Sequence, residues 1–134
     1  MRDFIKIYRQ LHTLMIDKLP NYIDRENKKN YGYVEIPYFT NTCLDEPNLQ
    51  LPYFRVSFDE AEQAKKDRIL QIIRYKFTIE IYIDKMHKKR LIEFIHYCNA
   101  ITTMIEEDDF EYWKLHQLKS VGDKKLELTV LVEW

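Results

Sequence analysis

Residues 73–83 read IRYKFTIEIYI and carry the clearest periodic pattern in the chain. Apolar residues recur at every second position, a period that is typical of a β-strand with one face in the core. The apolar face is formed by Ile73, Tyr75, Phe77, Ile79, Ile81 and Ile83. The opposite face carries Arg74, Lys76, Thr78, Glu80 and Asp84. The pattern predicts a long strand whose polar face meets solvent or a neighbour.

The segments on either side predict further strands. Phe54, Val56 and Phe58 alternate with polar residues, as do Leu126, Leu128, Val130, Val132 and Trp134. An aromatic run, residues 110–118, predicts a strand that a turn at 121–124 joins to the last one. Residues 31–36 are β-prone and are followed by Pro37, which favours an edge strand. The turn formers in residues 37–52 predict a long loop.

Apolar residues at steps of three and four predict two helices. The first extends from Phe4 to Leu19 and is ended by Pro20. The second follows the long strand with Asp84 as its N-cap. Its predicted buried stripe is Leu91, Phe94, Ile95, Cys98, Ile101, Thr102 and Ile105. The sequence therefore predicts one α+β domain over residues 1–134, a mostly antiparallel sheet of about five strands with two helices on one face, in the order α-β-β-β-α-β-β.

Composition narrows the function classes. The 134 residues carry 21 basic and 22 acidic side chains, a balance that argues against a dedicated nucleic-acid-binding domain. No apolar run approaches the roughly 20 residues needed to cross a bilayer, so we expect no membrane partner. Cys43 and Cys98 lie in unlike contexts, which favours two free thiols in a reducing compartment.

No residue pattern predicts catalysis, a metal or a cofactor. The only glycines are Gly32 and Gly122, so the glycine-rich loops that hold phosphates are missing. His96 and Cys98 are two positions apart on a predicted helix and point to different faces. The acidic residues occur in runs rather than singly in apolar surroundings, where a carboxyl pKa would shift. The sequence favours a protein that is not an enzyme.

Charged residues are concentrated near both ends of the second predicted helix. The basic cluster is Lys88, Lys89 and Arg90, and the acidic cluster is Glu106, Glu107, Asp108 and Asp109. A helix dipole prefers the reverse arrangement, by ~0.3–1 kcal/mol per charge. Two interpretations stay open. Both clusters are solvated, or the cationic end of one subunit meets the anionic end of the next, as a head-to-tail ring requires.

A second charged segment, residues 59–68, lies between two predicted strands. Its acids, Asp59, Glu60 and Glu62, precede its bases, Lys65, Lys66 and Arg68. We interpret it as a mobile hairpin tip rather than a short helix. It is either a solvated loop or a loop that becomes ordered on a partner.

Taken together, these patterns resemble the tail terminator, or tail completion, proteins of long-tailed bacteriophages. The resemblance is carried by the predicted helices and by the segments LPYFRVSF (51–58), DEAEQAKKDR (59–68), RYKFTIEIYID (74–84) and LELTVLVEW (126–134). It implies a structural subunit of a hexameric ring that caps the tail tube and offers a surface to the head connector.

The resemblance also implies partners and a location. The partners would be further copies of the chain, the tail tube protein and the head connector protein, and DNA would pass through the ring only as cargo. The subunit would assemble in the cytoplasm of a bacterial host and end in the virion tail. The family has no catalytic residues to transfer. A function of a different class also stays open, namely a small non-enzymatic binding or regulatory module of a mobile element. An enzyme is a weaker interpretation.

Overall fold

A four-stranded antiparallel sheet forms the centre of the molecule. The computed structural model describes residues 4–29, 35–47, 49–66, 71–84, 89–107, 113–122 and 124–133. The strands are β1 (Tyr53–Lys66), β2 (Gln71–Tyr82), β3 (Trp113–Val121) and β4 (Lys125–Glu133). They lie in the order β1-β2-β4-β3, and every neighbouring pair is antiparallel. The segment with alternating apolar residues thus provides a central strand, β2.

The predicted alternation along β2 is confirmed. One face is buried at every position of the stripe: Ile73, Tyr75, Phe77, Ile79, Ile81 and Ile83. Phe54 pairs with Ile81 on one side, and Leu126 pairs with Ile79 on the other, so buried residues continue across the sheet. The shared face forms the core, because neighbouring antiparallel residues project to the same side.

The N-terminal helix is longer than predicted. Helix α1 (Phe4–His12) continues through a π-helical segment (Thr13–Lys18) into α2 (Leu19–Lys29), so the predicted end at Pro20 is wrong. Proline is tolerated near the start of a helical segment, where the N–H that it lacks needs no partner. Pro20 is the second residue of α2, and the wider π-helical segment before it changes the hydrogen-bonding pattern there.

The predicted strand at residues 31–36 is not confirmed, and the described part of the chain has four strands instead of about five, in the order α-β-β-α-β-β. Residues 31–34 lie outside the described residues, and Glu35 and Ile36 are not in a strand. The amide of Asn27 donates to the Ile36 carbonyl at 3.0 Å and accepts from its N–H at 2.8 Å. Ile36 therefore pairs with a side chain of α2 rather than with the sheet.

The charged segment is mostly strand, which corrects the predicted loop. β1 continues to Lys66 and pairs with β2 as far as Lys66 opposite Gln71. Asp59, Glu60, Glu62, Lys65 and Lys66 lie in it, whereas Arg68 lies outside the described residues. Register shifts between Phe58 and Glu60 and between Gln63 and Lys65 mark irregularities in this pairing. Because an edge strand gains its backbone hydrogen bonds from one neighbour, it can extend without apolar side chains.

Residues 37–52 form the predicted long connection without regular structure, and side chains hold it in place. The N–H of Thr40 donates to the Pro52 carbonyl at 2.9 Å. The amide of Asn41 donates to the Phe54 carbonyl at 2.9 Å and accepts from its N–H at 3.0 Å. Asn41 thus takes the place of a strand neighbour at the start of β1.

We expect Asn41→Ala to lower the free energy of unfolding by about 1–3 kcal/mol, because it leaves two part-buried backbone groups of Phe54 without their partner. Urea unfolding at neutral pH measures this. The matched control is Asn21→Ala on the exposed side of α2, which should stay within about 0.5 kcal/mol of the wild type. Equal stabilities for the two variants would contradict the anchoring role of Asn41.

Helix α3 (Arg90–Glu107) is present, but its buried side is rotated from the predicted stripe. Phe94, Ile101 and Ile105 are buried as predicted, whereas Leu91 and Ile95 are exposed and Cys98 and Thr102 are half-buried. The buried side also includes Tyr97, Ala100 and Met104. Tyr97 stacks on Phe39 at 4.4 Å and donates its hydroxyl proton to the Pro37 carbonyl at 2.6 Å, contacts that the periodicity of one helix does not reveal.

The ends of α3 and of the last hairpin also differ in part from the prediction. Asp84 is not the N-cap of α3, because the helix begins at Arg90 and the first turn closes from the Glu93 N–H to the Lys89 carbonyl at 3.0 Å. The predicted strand at 110–118 begins at Trp113, and residues 110–112 lie outside the described residues. The turn at 121–124 is confirmed, and Gly122 has a φ of 64° that suits a residue without Cβ.

Candidate assembly surface

Three aliphatic side chains are exposed together near the start of α3. Leu91 is 55% exposed, Ile92 44% and Ile95 47%. Ile95 is four positions after Leu91 and three after Ile92, so it adjoins both on the helix surface, and the three residues form one apolar area, the α3 patch. Single exposed apolar residues are common on protein surfaces, but contiguous ones often mark an interaction site.

A cleft opens between α1 and the sheet. Its volume is about 410 Å³, and its walls are apolar: Ile7, Leu11, Leu44, Val56, Tyr75 and Phe77. Tyr8 and Phe58 line the same cleft and are about half exposed. We call it the α1 cleft. A concave apolar surface of this size can receive a small ligand or side chains of another protein.

One acidic residue, Asp45, lines the α1 cleft. The Tyr8 hydroxyl donates to Asp45 Oδ1 at 2.7 Å, and this hydrogen bond raises the pKa of Tyr8. Glu46, the next residue, accepts from the N–H of Thr42 at 2.7 Å and from its hydroxyl at 2.9 Å. These bonds hold the pKa of Glu46 below its ordinary value, so its carboxylate keeps its charge at neutral pH.

The two charged clusters lie at opposite ends of α3, as predicted. Arg90 is the first residue of α3 and Lys89 precedes it, whereas Glu106 and Glu107 are the last two residues. An 18-residue helix separates its ends by about 25 Å. Lys88, Asp108 and Asp109 lie outside the described residues. Within one chain, Lys89 and Arg90 are therefore far from Glu106 and Glu107.

The acidic end already has a partner in its own chain. Arg25 of α2 binds Glu107 with both of its terminal nitrogens, at 2.5 and 2.9 Å. A cation beside the C-terminus of α3 offsets the unfavourable meeting of a carboxylate with the helix dipole. The same ion pair holds the pKa of Glu107 below its ordinary value. Glu107 is thus a weaker candidate for a contact with another subunit than its sequence position suggests.

The Arg25–Glu107 pair predicts a pH-dependent difference in stability. Because the pKa of folded Glu107 is lowered, the pair stabilises the protein above the unfolded value near 4.5 and loses this effect as the pH falls through the folded value. We expect Glu107→Gln to be slightly less stable than the wild type at pH 7. The urea midpoints of the two proteins should converge as the pH falls below the unfolded value near 4.5. The control Glu106→Gln should show no comparable convergence, and a pH-independent gap for Glu107→Gln would contradict the pairing.

A polar cluster lies between α2 and α3. Glu26 is 7% exposed, and its carboxylate lies 2.9 Å from His96 Nδ1 and 3.1 Å from the amide nitrogen of Asn99, which donates to it. These contacts join the two helices and place His96 in a structural role. In the described part of the chain, no group of three His, Cys, Asp or Glu side chains is arranged to hold a metal ion. Sequence reasoning missed this cluster, because no pattern within one helix indicates that Glu26 faces α3.

The cysteines do not form an evident nucleophilic site. Both are free, as the sequence predicted. Burial raises the pKa of the Cys98 thiol to about 11. Relative to the ordinary value of 9.0, this lowers the thiolate fraction at neutral pH roughly a hundredfold. Cys98 is therefore poorly suited to attack a substrate.

Comparison with known proteins finds neither a protein family whose model matches the chain nor a matching curated relative. Among the residues that the structure describes, no helix is both long and apolar enough to span a membrane. The α3 patch and the α1 cleft are the two apolar surfaces that bear on a function.

Proposed function

We propose that this chain is a structural subunit of a phage or prophage tail, a ring-forming terminator that caps the tail tube and provides the head-joining surface. The observation that supports the proposal best is the pair of apolar surfaces on different elements, the α3 patch and the α1 cleft. A subunit that forms a closed ring must offer two different surfaces, one to each neighbour. The hydrophobic and charge patterns that resemble tail terminator proteins supply the biological context.

The proposed mechanism is steric and interfacial. One face of the ring binds the end of the tail tube in the way that the next tube ring would. The other face lacks the surface on which a further tube ring could dock, so tube growth stops. The ring, proposed as a hexamer, then binds the head connector protein, and DNA passes through its bore as cargo. No step of this mechanism requires a catalytic residue, a metal or a cofactor. Assembly would take place in the bacterial host cytoplasm, and the ring would remain in the virion tail.

The charged segment of β1 has a place in this proposal. Residues Asp59–Lys66 form an edge strand, and edge strands can accept a further strand from a partner. The alternative is a solvated strand whose polar side chains prevent such pairing. The exposed side chains of Asp59 and Glu60 are equally compatible with this role. Amide exchange of residues 59–66 before and after assembly separates the two, because only a partner contact would slow exchange there.

A stop codon in the gene, introduced in the bacterium that carries it, tests the proposed function. After induction, electron micrographs should show tails of uncontrolled length without attached heads. A plasmid copy of the wild-type gene should restore tails of one length joined to heads. Joined tails of normal length from the stop-codon strain would overturn the proposal.

A second candidate function is a small non-enzymatic binding or regulatory module. The observation that favours it is the volume of the α1 cleft, about 410 Å³, which lies within the usual range of small-molecule sites. Such a module would be complete as a monomer or dimer, and the stop-codon strain would make normal tails. Ligand-induced protection of Tyr8 and Phe58, seen in a monomer, would favour this function.

A further inference from the structure

The α1 cleft has a deep part and an opening that differ in chemistry. Five of the residues that line it are no more than 5% exposed, and they form the deep part: Ile7, Leu11, Leu44, Tyr75 and Phe77. None of them carries a charge. The volume of about 410 Å³ leaves room for an aromatic ring or a short alkyl chain. The apolar part of a ligand gains most by entering this space, because it leaves water there.

The opening of the cleft is formed by the lining residues that solvent reaches. Tyr8 of α1 is 45% exposed, Phe58 of β1 is 49% exposed, and Asp45 of the connection before β1 is also exposed. Among the described residues that line the cleft, Asp45 is the only charged one. A carboxylate beside aromatic rings attracts a cation, through a charge-assisted hydrogen bond and through the negative faces of the rings.

The hydrogen bond between Tyr8 and Asp45 sets the polarity of this opening. The Tyr8 hydroxyl donates to Asp45 Oδ1 at 2.7 Å, so its proton is directed to the carboxylate and not to a ligand. The same bond raises the pKa of Tyr8, so the hydroxyl keeps its proton at neutral pH. A carboxylate has about four acceptor positions, and this bond uses one of them. The pair therefore offers a ligand hydrogen-bond acceptors and a negative charge, which suit an ammonium group rather than a carboxylate or a phosphate.

From these observations we infer that the α1 cleft binds a small amphipathic amine. The ammonium group lies at Asp45, beside the rings of Tyr8 and Phe58, and the apolar body occupies the deep part of the cleft. This site goes beyond the tail function, because a single chain contains all of it. It also gives the second candidate function a class of ligand. An anionic ligand and an apolar ligand without an amine are the alternatives that the experiment has to exclude.

Three probes that share one aromatic ring test the class of ligand. Phenylethylamine carries an ammonium group, phenylethanol a neutral hydroxyl and phenylpropionate a carboxylate. Titration of the wild-type protein, at a concentration where it is monomeric, should move the amide NMR signals of Tyr8, Leu44 and Asp45. We expect phenylethylamine to bind at least about threefold more tightly than either of the other probes. Equal affinities for the three probes, or no movement of the signals at the cleft, would overturn the inference.

Asp45→Asn tests the charge without disturbing the fold, because Asp45 is exposed and asparagine can still accept from Tyr8. It should raise the dissociation constant of phenylethylamine about three- to tenfold, between the effects of an exposed ion pair and of a charge-assisted hydrogen bond. Binding of phenylethanol should stay unchanged. The matched control is Asp17→Asn, the same change at an exposed residue of the π-helical segment outside the cleft, and it should bind both probes like the wild type. An equal loss for the amine and the alcohol in Asp45→Asn would contradict the role of Asp45 as the site of the ammonium group.

The binding experiment and the stop-codon experiment can fail separately. Preferential binding of the amine together with normal tails in the stop-codon strain would support the ligand site and reject the tail function. Uncontrolled tail length together with an amine that binds no better than the alcohol would support the tail function and overturn the ligand site.

Discussion

Replacing Tyr97 with alanine is expected to lower the free energy of unfolding by about 3–5 kcal/mol, the range for truncating a large buried aromatic side chain. Tyr97 has no exposed surface, stacks on Phe39 and donates to the Pro37 carbonyl. It therefore joins α3 to the long connection that precedes β1. Urea unfolding followed by circular dichroism measures the loss.

Tyr97→Phe is the matched control for the hydroxyl. It keeps the stacked ring and removes only the hydrogen bond to Pro37, so we expect a loss of about 1–3 kcal/mol. The difference between the two variants reports the contribution of the ring. If Tyr97→Ala were no less stable than Tyr97→Phe, the assignment of Tyr97 to the buried side of α3 would be wrong.

Truncating the central strand should have a similar effect. Ile79 has no exposed surface and lies between Val56 of β1 and Leu126 of β4. We expect Ile79→Ala to lower the free energy of unfolding by about 2–5 kcal/mol and Ile79→Val by about 0.5–1.5 kcal/mol, because the cavity grows with the volume removed. Thermal and urea unfolding should rank the two variants alike.

The control for Ile79 is a residue of the same type on the surface. Ile95→Ala in the α3 patch should change the stability of the monomer by no more than about 0.5 kcal/mol, since Ile95 is 47% exposed. A large loss of stability in Ile95→Ala and a small loss in Ile79→Ala would contradict the placement of Ile79 in the core and of Ile95 on the surface.

The parts of the fold with a clean local pattern were predictable. Residues 73–83 alternate over eleven positions, and β4, the first part of β1 up to Phe58 and the turn around Gly122 follow simple rules of period and turn chemistry. Pro20 led to a wrong prediction of the helix end, because the effect of a proline depends on the turn that precedes it. The π-helical segment before Pro20 has no sequence signature. The charged residues up to Lys66 led to a wrong prediction because the pairing of β1 with β2 continues beyond the segment that has an apolar pattern.

The candidate surface was less predictable than the fold. Leu91 and Ile95 have the spacing of a buried stripe, and one helix has more apolar residues than its buried side can hold. Which of them remain exposed depends on the packing of α3 against α2 and of Tyr97 against Phe39, and both α2 and Phe39 are distant in sequence. The charged ends of α3 were located correctly, but the binding of Glu107 by Arg25 could not be seen without the tertiary structure.

If copies of this chain associate head-to-tail into a closed ring, as we propose, their absolute mass in solution should reveal it. Light scattering at low and moderate salt, with negative-stain images of any large species, should show open rings. Six copies of the 16.5 kDa chain correspond to about 99 kDa. A species that stops at a closed dimer, or a monomer at every concentration and salt, would contradict head-to-tail assembly into a ring.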